Sequence, residues 1–153
     1  MRMEDTFTVA APVEIVWNTV IDPTRLGQCL PGCESIKRVD DTHYEATMAV
    51  KIQFMTLRFF TRGELKDTDP PRHLTVVMDG RPIALAGVFR AQLRAELIPT
   101  NGSTEMHYEL DLRMTGRLAS LGEAIMRKTV EQSAREFVTK VRALVEDTPA
   151  VQS

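Results

Sequence analysis

The sequence predicts an α+β domain in which a curved, seven-stranded antiparallel sheet is closed over by a long C-terminal helix, with two short helices after the first strand. Three observations predict it. Between about Cys33 and Met114 apolar residues recur with period two, the mark of strands, whereas just before that stretch they recur with the 3.6-residue period of a helix. From Leu118 to Glu146 there is no proline and a single glycine, and apolar residues return to helical spacing. The 153 residues make one ordinary domain, large enough to bury roughly 68–70% of the surface its unfolded chain exposes. The domain is expected over residues 1–146, followed by a polar tail over 147–153.

The first strand, Asp5 to Ala10, is short and alternates, with Phe7 and Val9 on one face. Pro12 opens a helix, because the missing N–H costs nothing at a first helical position. Val13, Val16, Trp17 and Val20 follow at i, i+3, i+4, i+7, one buried helical face. Asp22-Pro23 stops that helix and caps a shorter one reaching to about Leu30. A less regular strand runs from Cys33 to Val39.

The next strands are more legible. Tyr44, Ala46, Met48, Val50, Ile52 and Phe54 share one face, and Met55, Leu57, Phe59, Thr61, Gly63 and Leu65 continue it. Asp67-Thr68-Asp69-Pro70-Pro71 reads as a turn. Leu74, Val76 and Met78 mark another inward face, ended by Asp79-Gly80. The longest strand is expected from Leu85 to Ile98, with Leu85, Gly87, Phe89, Ala91, Leu93, Ala95 and Leu97 inward. Asn101-Gly102 turns the chain back, and Met106, Tyr108, Leu110, Leu112 and Met114 then alternate against charged neighbours. Such apolar-in, polar-out alternation belongs to an antiparallel sheet covered on one face.

The cover is the last segment, where Leu121, Ile125, Met126, Val130, Phe137, Val141 and Leu144 form an apolar stripe. A helix of about 29 residues is roughly 43 Å long, against roughly 33 Å for a ten-residue strand, so one helix can cross the whole sheet diagonally.

Composition excludes several function classes. Charged residues are 26% and hydrophobic ones 43%, with a net charge of -2, which offers no basic footprint for nucleic acid. Met1 to Asp5 lacks the apolar run of a secretory signal. The longest apolar or glycine stretch, Ile83 to Phe89, falls far short of the roughly 20 residues of a membrane span. A cytoplasmic location is therefore expected, with Cys29 and Cys33 as reduced thiols.

The inward faces between Tyr44 and Met114 carry no Asp, Glu, His, Lys or Arg. General acid–base catalysis needs a titratable group within about 3 Å of the reacting atom, so such an interior suits binding better than chemistry, although helices, loops and the Cys33–Val39 strand could still present one at its mouth. His43, His73 and His107 fall on outward parity or beside turns and read as surface residues, with a partner contact as the other reading. Cys29 and Cys33 are one pair without a second, short of the four ligands of a structural zinc site; no metal site is expected, and they read as small residues framing the Pro31-Gly32 turn. Tyr44 and Tyr108 are the polar residues on inward faces, each needing a partner in the backbone or in a ligand's head group. Small inward residues (Ala46, Gly63, Gly87, Ala91, Ala95) either admit a close helix or leave a cavity with adaptable methionine walls.

Val16-Trp17-Asn18-Thr19-Val20-Ile21-Asp22-Pro23, then Leu26 and Cys29-Leu30-Pro31-Gly32-Cys33-Glu34, resemble the N-terminal signature of the carbon monoxide dehydrogenase G-subunit family. Gly116-Arg117-Leu118-Ala119-Ser120-Leu121-Gly122 is similar to that family's C-terminal motif. The resemblance spans nearly the whole chain. It implies the START-like, polyketide-cyclase-like helix-grip fold, seven strands wrapped around a long helix, in agreement with the pattern above.

The resemblance also implies a non-enzymatic accessory role beside a molybdenum-containing carbon monoxide dehydrogenase or related hydroxylase, docking the enzyme at the inner face of the cytoplasmic membrane and holding a lipophilic electron acceptor such as a quinone. No covalently bound cofactor is implied. Some members carry a C-terminal membrane anchor; no such apolar segment ends this sequence, so a peripheral contact is expected. The residues expected to wall the cavity are Leu30, Met48, Phe59, Phe89, Ala91, Tyr108, Leu121 and Ile125, with Tyr108 as polar handle and the rest as apolar contact. Two alternatives remain: a cyclase- or aromatase-like enzyme, which needs a charged group in the cavity, and a docking module with a solid core and Phe60 as its anchor.

Overall fold

Period-two alternation, together with turn residues between the runs, yields consecutive antiparallel strands, and the computed structural model shows how they join. It describes residues 1–150, the side chains of 147–150 excepted. The elements are β1 (Arg2–Val9), α1 (Val13–Ile21), α2 (Pro23–Cys29), β2 (Cys33–Arg38), β3 (His43–Ile52), β4 (Met55–Asp69), β5 (His73–Pro82), β6 (Phe89–Thr100), β7 (Ser103–Met114), α3 (Gly116–Ala119) and α4 (Glu123–Ala150). One seven-stranded antiparallel sheet has the order β1-β7-β6-β5-β4-β3-β2, so the first strand closes against the last. Among the described residues no helix is long and apolar enough to cross a membrane. The tail expected over 147–153 lies outside the described residues, apart from the helical backbone of 147–150.

Several boundaries differ from the sequence reading, each for a local reason. β1 starts at Arg2, not Asp5, because the terminal ammonium donates to the Leu112 carbonyl at 2.9 Å and Leu112 N–H donates to the Met1 carbonyl at 2.8 Å. Pro12 stands just outside α1 as its N-cap, while Asp22 caps α2 as expected, accepting from Arg25 N–H at 2.9 Å. Phe54 does not continue the inner face of β3: it sits in a tight turn with Gln53, whose φ is 56°, and its side chain is fully exposed. Met55 beside it is also exposed. Asp67 to Asp69 extend β4 instead of turning, and a bulge between Leu65 and Asp67 resets the register. β5 runs through Gly80 to Pro82.

Leu85 to Val88 are not strand. That link is stitched to the far end of β7 instead: Leu118 N–H donates to Ala86 O at 3.2 Å and Thr115 N–H to Val88 O at 3.0 Å. The closing helix is likewise in two pieces, α3 and α4, separated at Gly122, whose φ of +97° is open to glycine and costly for other residues. Leu118 and Leu121 therefore belong to a cap at the head of the helix and not to its stripe.

The apolar interior is divided. One cluster, at the end holding α1 and α2, joins Val9, Val16, Trp17, Cys29, Leu97, Met106, Val141 and Val145. A smaller one at the opposite end joins Ile52, Leu57, Phe59, Leu118 and Met126, with Phe89, Leu121 and Ile125 packed on it. Thus α4 is buried near its head and near its foot, and the densest backbone approaches it makes are to α1, α2, β1 and β3.

Candidate functional site

Between the two clusters lies the middle of the sheet's inner face. Ala46 and Met48 on β3, Thr61 and Gly63 on β4, Met78 on β5, Leu93 on β6 and Tyr108 and Leu110 on β7 all point towards α4, yet all are only half-buried. The facing stretch of α4 is built of Thr129, Val130, Ser133 and Ala134, small or short residues that are half-buried as well. Partial exposure beneath a covering helix makes this band less closely packed than the two clusters that flank it. Small side chains on both sides account for it.

The eight residues expected to wall a cavity fall into two groups. Phe59, Phe89, Leu121 and Ile125 come together in the smaller cluster, where the Phe59 and Phe89 rings meet edge-to-face at 5.7 Å between centroids. Met48 stands directly opposite Phe59 in the β3–β4 register. Ala91 is buried beside them, one inward position along from Phe89. Tyr108 lies deeper along β7, opposite Ala95. Leu30, the C-cap of α2, belongs to neither cluster.

The two tyrosines separate cleanly. Tyr44 donates its hydroxyl to the Ile21 carbonyl at 2.7 Å, tying β3 to the end of α1, and Arg38 stacks over its ring at 5.6 Å. The Tyr108 hydroxyl makes no hydrogen bond among the described residues. Burial pushes the Tyr108 phenol above its ordinary value, and the carboxylates of Asp5 and Glu131 add to that. The sequence reading missed both acids. With β1 starting at Arg2, Met3, Asp5, Phe7 and Val9 share the inward parity, and Asp5 faces Tyr108 directly across the sheet edge. The parity Asp5 shares with Phe7 and Val9 was the available signal.

Inward charge is thus confined to edge strands. On β3 to β7 the inner face has none, in line with the expectation; Asp5 on β1 and Arg38 on β2 are the exceptions. Arg38 is engaged with the carbonyls of Asp40 and Asp41 at 3.2 and 2.7 Å. Asp5 is exposed and its carboxylate accepts from Thr6 N–H at 2.8 Å; on either side of it two arginines of α4 hold β1, Arg127 donating to the Arg2 carbonyl at 3.3 Å and Arg142 to the Thr8 carbonyl at 2.8 and 3.0 Å.

The three histidines lie on outward parity or beside a turn. His107 pairs with the Thr6 hydroxyl at 2.8 Å, His73 with the Thr75 hydroxyl at 3.2 Å, and His43 with Asp40 at 2.8 Å. Glu4, His107 and Glu109 approach one another on the convex face, with candidate ligand atoms within 4.8 Å; Glu109 is already held by Arg2 and Arg94. Cys29 and Cys33 are free thiols, both pushed upward chiefly by burial. Phe60 is outward and 36% exposed, at a shallow hollow of about 190 Å³ shared with Ser35, Lys37, Glu45 and Thr47.

Residues 6–146 match the model of the family described as the G subunit of carbon monoxide dehydrogenase (CoxG). Among solved structures, a conserved protein from Geobacillus kaustophilus is similar over 97% of both chains, with a TM-score of 0.89 and 21% identity. A START superfamily protein from Mycobacterium smegmatis has a TM-score of 0.69 at 16% identity, covering 95% of this chain and 97% of the other. The Zhui aromatase/cyclase from Streptomyces sp. R1128 has a TM-score of 0.70 at 16% identity, covering 95% and 93%. At these identities the likeness speaks for the fold. No curated protein matches the sequence.

Proposed function

The chain belongs to the CoxG family, named for the G subunit of carbon monoxide dehydrogenase, and on that premise we propose that it is a non-enzymatic accessory protein that carries a lipophilic molecule of the quinone class for a molybdenum hydroxylase, touching the membrane peripherally. The observation that carries this reading is the divided interior, a half-exposed apolar band between two buried clusters. A lipophile filling that band would bury the accessible surface of Met48, Leu93 and Leu110, at about 25 cal/mol for each Å² of apolar area removed from water. Tyr108, with its free hydroxyl, would donate to a carbonyl on the ligand's head. Phe59, Phe89, Leu121 and Ile125 would close the near end, and the Met48 thioether would adapt to the ligand's outline. Membership of the family supports the hydroxylase as the partner.

Thermal unfolding with menaquinone, ubiquinone and a fatty acid tests the reading. A ligand at 100 times its Kd stabilises the folded state by about 2.7 kcal/mol, a rise of roughly 5–10 °C for a domain of this size. A flat response to every lipophile would sink the proposal. Leu121→Trp, which fills the head of the band, should abolish the response while leaving co-purification with the hydroxylase intact if docking and carriage are separate tasks.

One observation favours a second reading. Asp5 opposite Tyr108 is a carboxylate beside a phenol at the rim of the band, the kind of titratable pair a cyclase-like enzyme would need. Turnover of a polyketide-type substrate, lost in Asp5→Asn, would replace the carrier reading.

A further inference from the structure

At the end of the sheet beyond the smaller cluster, two neighbouring connections project apolar side chains into solvent. Phe54 is 103% exposed and Met55 41% in the β3–β4 turn; Ile83 is 69% and Val88 37% exposed in the β5–β6 link. Ile83 N–H donates to the Arg58 carbonyl at 2.9 Å, so the two tips are fixed side by side. Directly beneath them, Ile52, Leu57 and Phe59 are buried. These tips stand on a rigid base.

Charge is segregated towards the same end. Residues 51–58, 81–90 and 113–117 contain Lys51, Arg58, Arg81, Arg90, Arg113 and Arg117 and no Asp or Glu, although the whole chain has a net charge of -2. All six are exposed. Arg58 is paired with Glu34 at 3.0 Å; among the described residues the other five form no ion pair. Arg90 and Arg113 stand directly opposite each other in the β6–β7 register, a like-charge arrangement that costs stability in the isolated protein and that an anion would relieve. The turns at the other end of the sheet instead carry Asp40, Asp41, Asp67, Asp69, Glu96 and Glu105 against Arg38, Lys66 and Arg72.

The geometry points to a docking surface for an anionic lipid bilayer, with Phe54, Met55, Ile83 and Val88 entering the boundary between head groups and acyl chains and the cations lying at the level of the phosphates. Apolar side chains at protruding tips combine with a ring of one charge sign in the manner of interfacial membrane binding. A protein partner would call for a complementary cleft and a mixture of charges, and a fully exposed Phe54 on a turn offers neither. The inference rests on the membrane contact in the reading above but not on the cargo. Docking here sets the Phe59–Phe89 cap of the band against the bilayer.

Co-sedimentation with vesicles of phosphatidylcholine alone, and of equimolar phosphatidylcholine and phosphatidylglycerol, tests it. Binding is expected only to the anionic vesicles and should weaken as salt shortens the screening length. Phe54→Ser should weaken it roughly tenfold, and Arg90→Gln and Arg113→Gln roughly fivefold each. Phe54 supports no packing, so Phe54→Ser should leave thermal unfolding unchanged, and either arginine substitution should raise it slightly by relieving the Arg90–Arg113 repulsion. Equal binding to both vesicle types, or binding indifferent to Phe54→Ser, overturns the inference; so does a hydroxylase that binds these tips while vesicles do not. A lipophile that fails to shift unfolding while anionic vesicles still bind would remove the cargo and leave the docking surface standing.

Discussion

Asp5 on β1 stands directly opposite Tyr108 on β7, both on the face that looks towards α4. Because the Tyr108 hydroxyl has no hydrogen-bond partner among the described residues, Tyr108→Phe should leave stability within about 0.5 kcal/mol of the parent. Affinity for a carbonyl-bearing lipophile should fall roughly tenfold, the worth of one net hydrogen bond, while a plain hydrocarbon probe binds as before. Equal losses for both probes would assign Tyr108 a packing role only. The phenol should titrate above the ordinary range, mainly through burial, and Asp5→Asn should bring its midpoint down. Since the folded-state value is raised, this phenol's contribution to stability is complete at neutral pH and is lost as pH rises through that value.

Tyr44 should behave in the opposite way. Its hydroxyl satisfies the Ile21 carbonyl at the end of α1, so Tyr44→Phe should cost about 1 kcal/mol, a lowering of roughly 2–4 °C in Tm. Calorimetry of both phenylalanine variants compares the two directly. An equal loss in each would contradict the assigned partners.

Much of this architecture was legible in the sequence because the inner face is regular. From Tyr44 to Ile52 and from Met106 to Met114 strict alternation fixes which side chains point inward, and Asp22-Pro23 and Asn101-Gly102 mark a cap and a turn by their own chemistry. The misreadings share a cause. Leu85 to Val88 alternate like a strand, but their backbone partners lie on Thr115 and Leu118, which no local pattern reports. The Gln53-Phe54 turn has neither glycine nor asparagine to announce it, and Phe54 happens to continue the apolar parity. Asp5 already shared the parity of Phe7 and Val9, but its neighbour Tyr108 is set by the β1–β7 pairing, which joins residues about a hundred positions apart. The loose packing of the central band could not be read from composition, since small residues on the sheet serve equally for close packing; it depends on short residues of α4, Thr129, Ser133 and Ala134, being only half-buried as well.

Gly32 lies within the Leu30-Pro31-Gly32-Cys33 turn with φ of +73°, and a Cβ there would collide with the Ala49 carbonyl oxygen. Gly32→Ala should therefore destabilise by about 3 kcal/mol or more, adding collision to backbone strain. At Gly122 the φ of +97° is equally unusual, yet a Cβ would meet nothing within 4 Å, so Gly122→Ala should cost only about 1 kcal/mol. Urea unfolding of the pair measures the difference, and comparable values would show that the Ala49 carbonyl gives way.

Both thiols should be sluggish nucleophiles at neutral pH, because burial raises them and the thiolate is the reactive form. Cys33, half-buried, should alkylate before Cys29, which is 1% exposed. Mass spectrometry of a timed alkylation gives the order. A Cys29 that reacts first would require the α1–α2 end of the domain to open locally.

Asp40, in the β2–β3 turn, accepts from Thr42 and His43 and its carboxyl is lowered to about 2. A depressed folded-state value means that its contribution is present above the ordinary Asp range and is lost as pH falls through about 2. Carboxyl NMR titration should place its midpoint near that value, and Asp40→Asn should remove the transition. A midpoint in the ordinary range would mean that the turn is not held by this side chain.

The divided interior makes α4 a beam clamped at both ends. Arg127 and Arg142, 15 positions apart, tie it to the carbonyls of Arg2 and Thr8, a free span of about 22 Å. The softest deformation of such a beam is to bow at mid-span, where Thr129, Ser133 and Ala134 are short and only half-buried. Guests of different thickness would then be accommodated by bending, while the two fixed clusters set the greatest length the span can take.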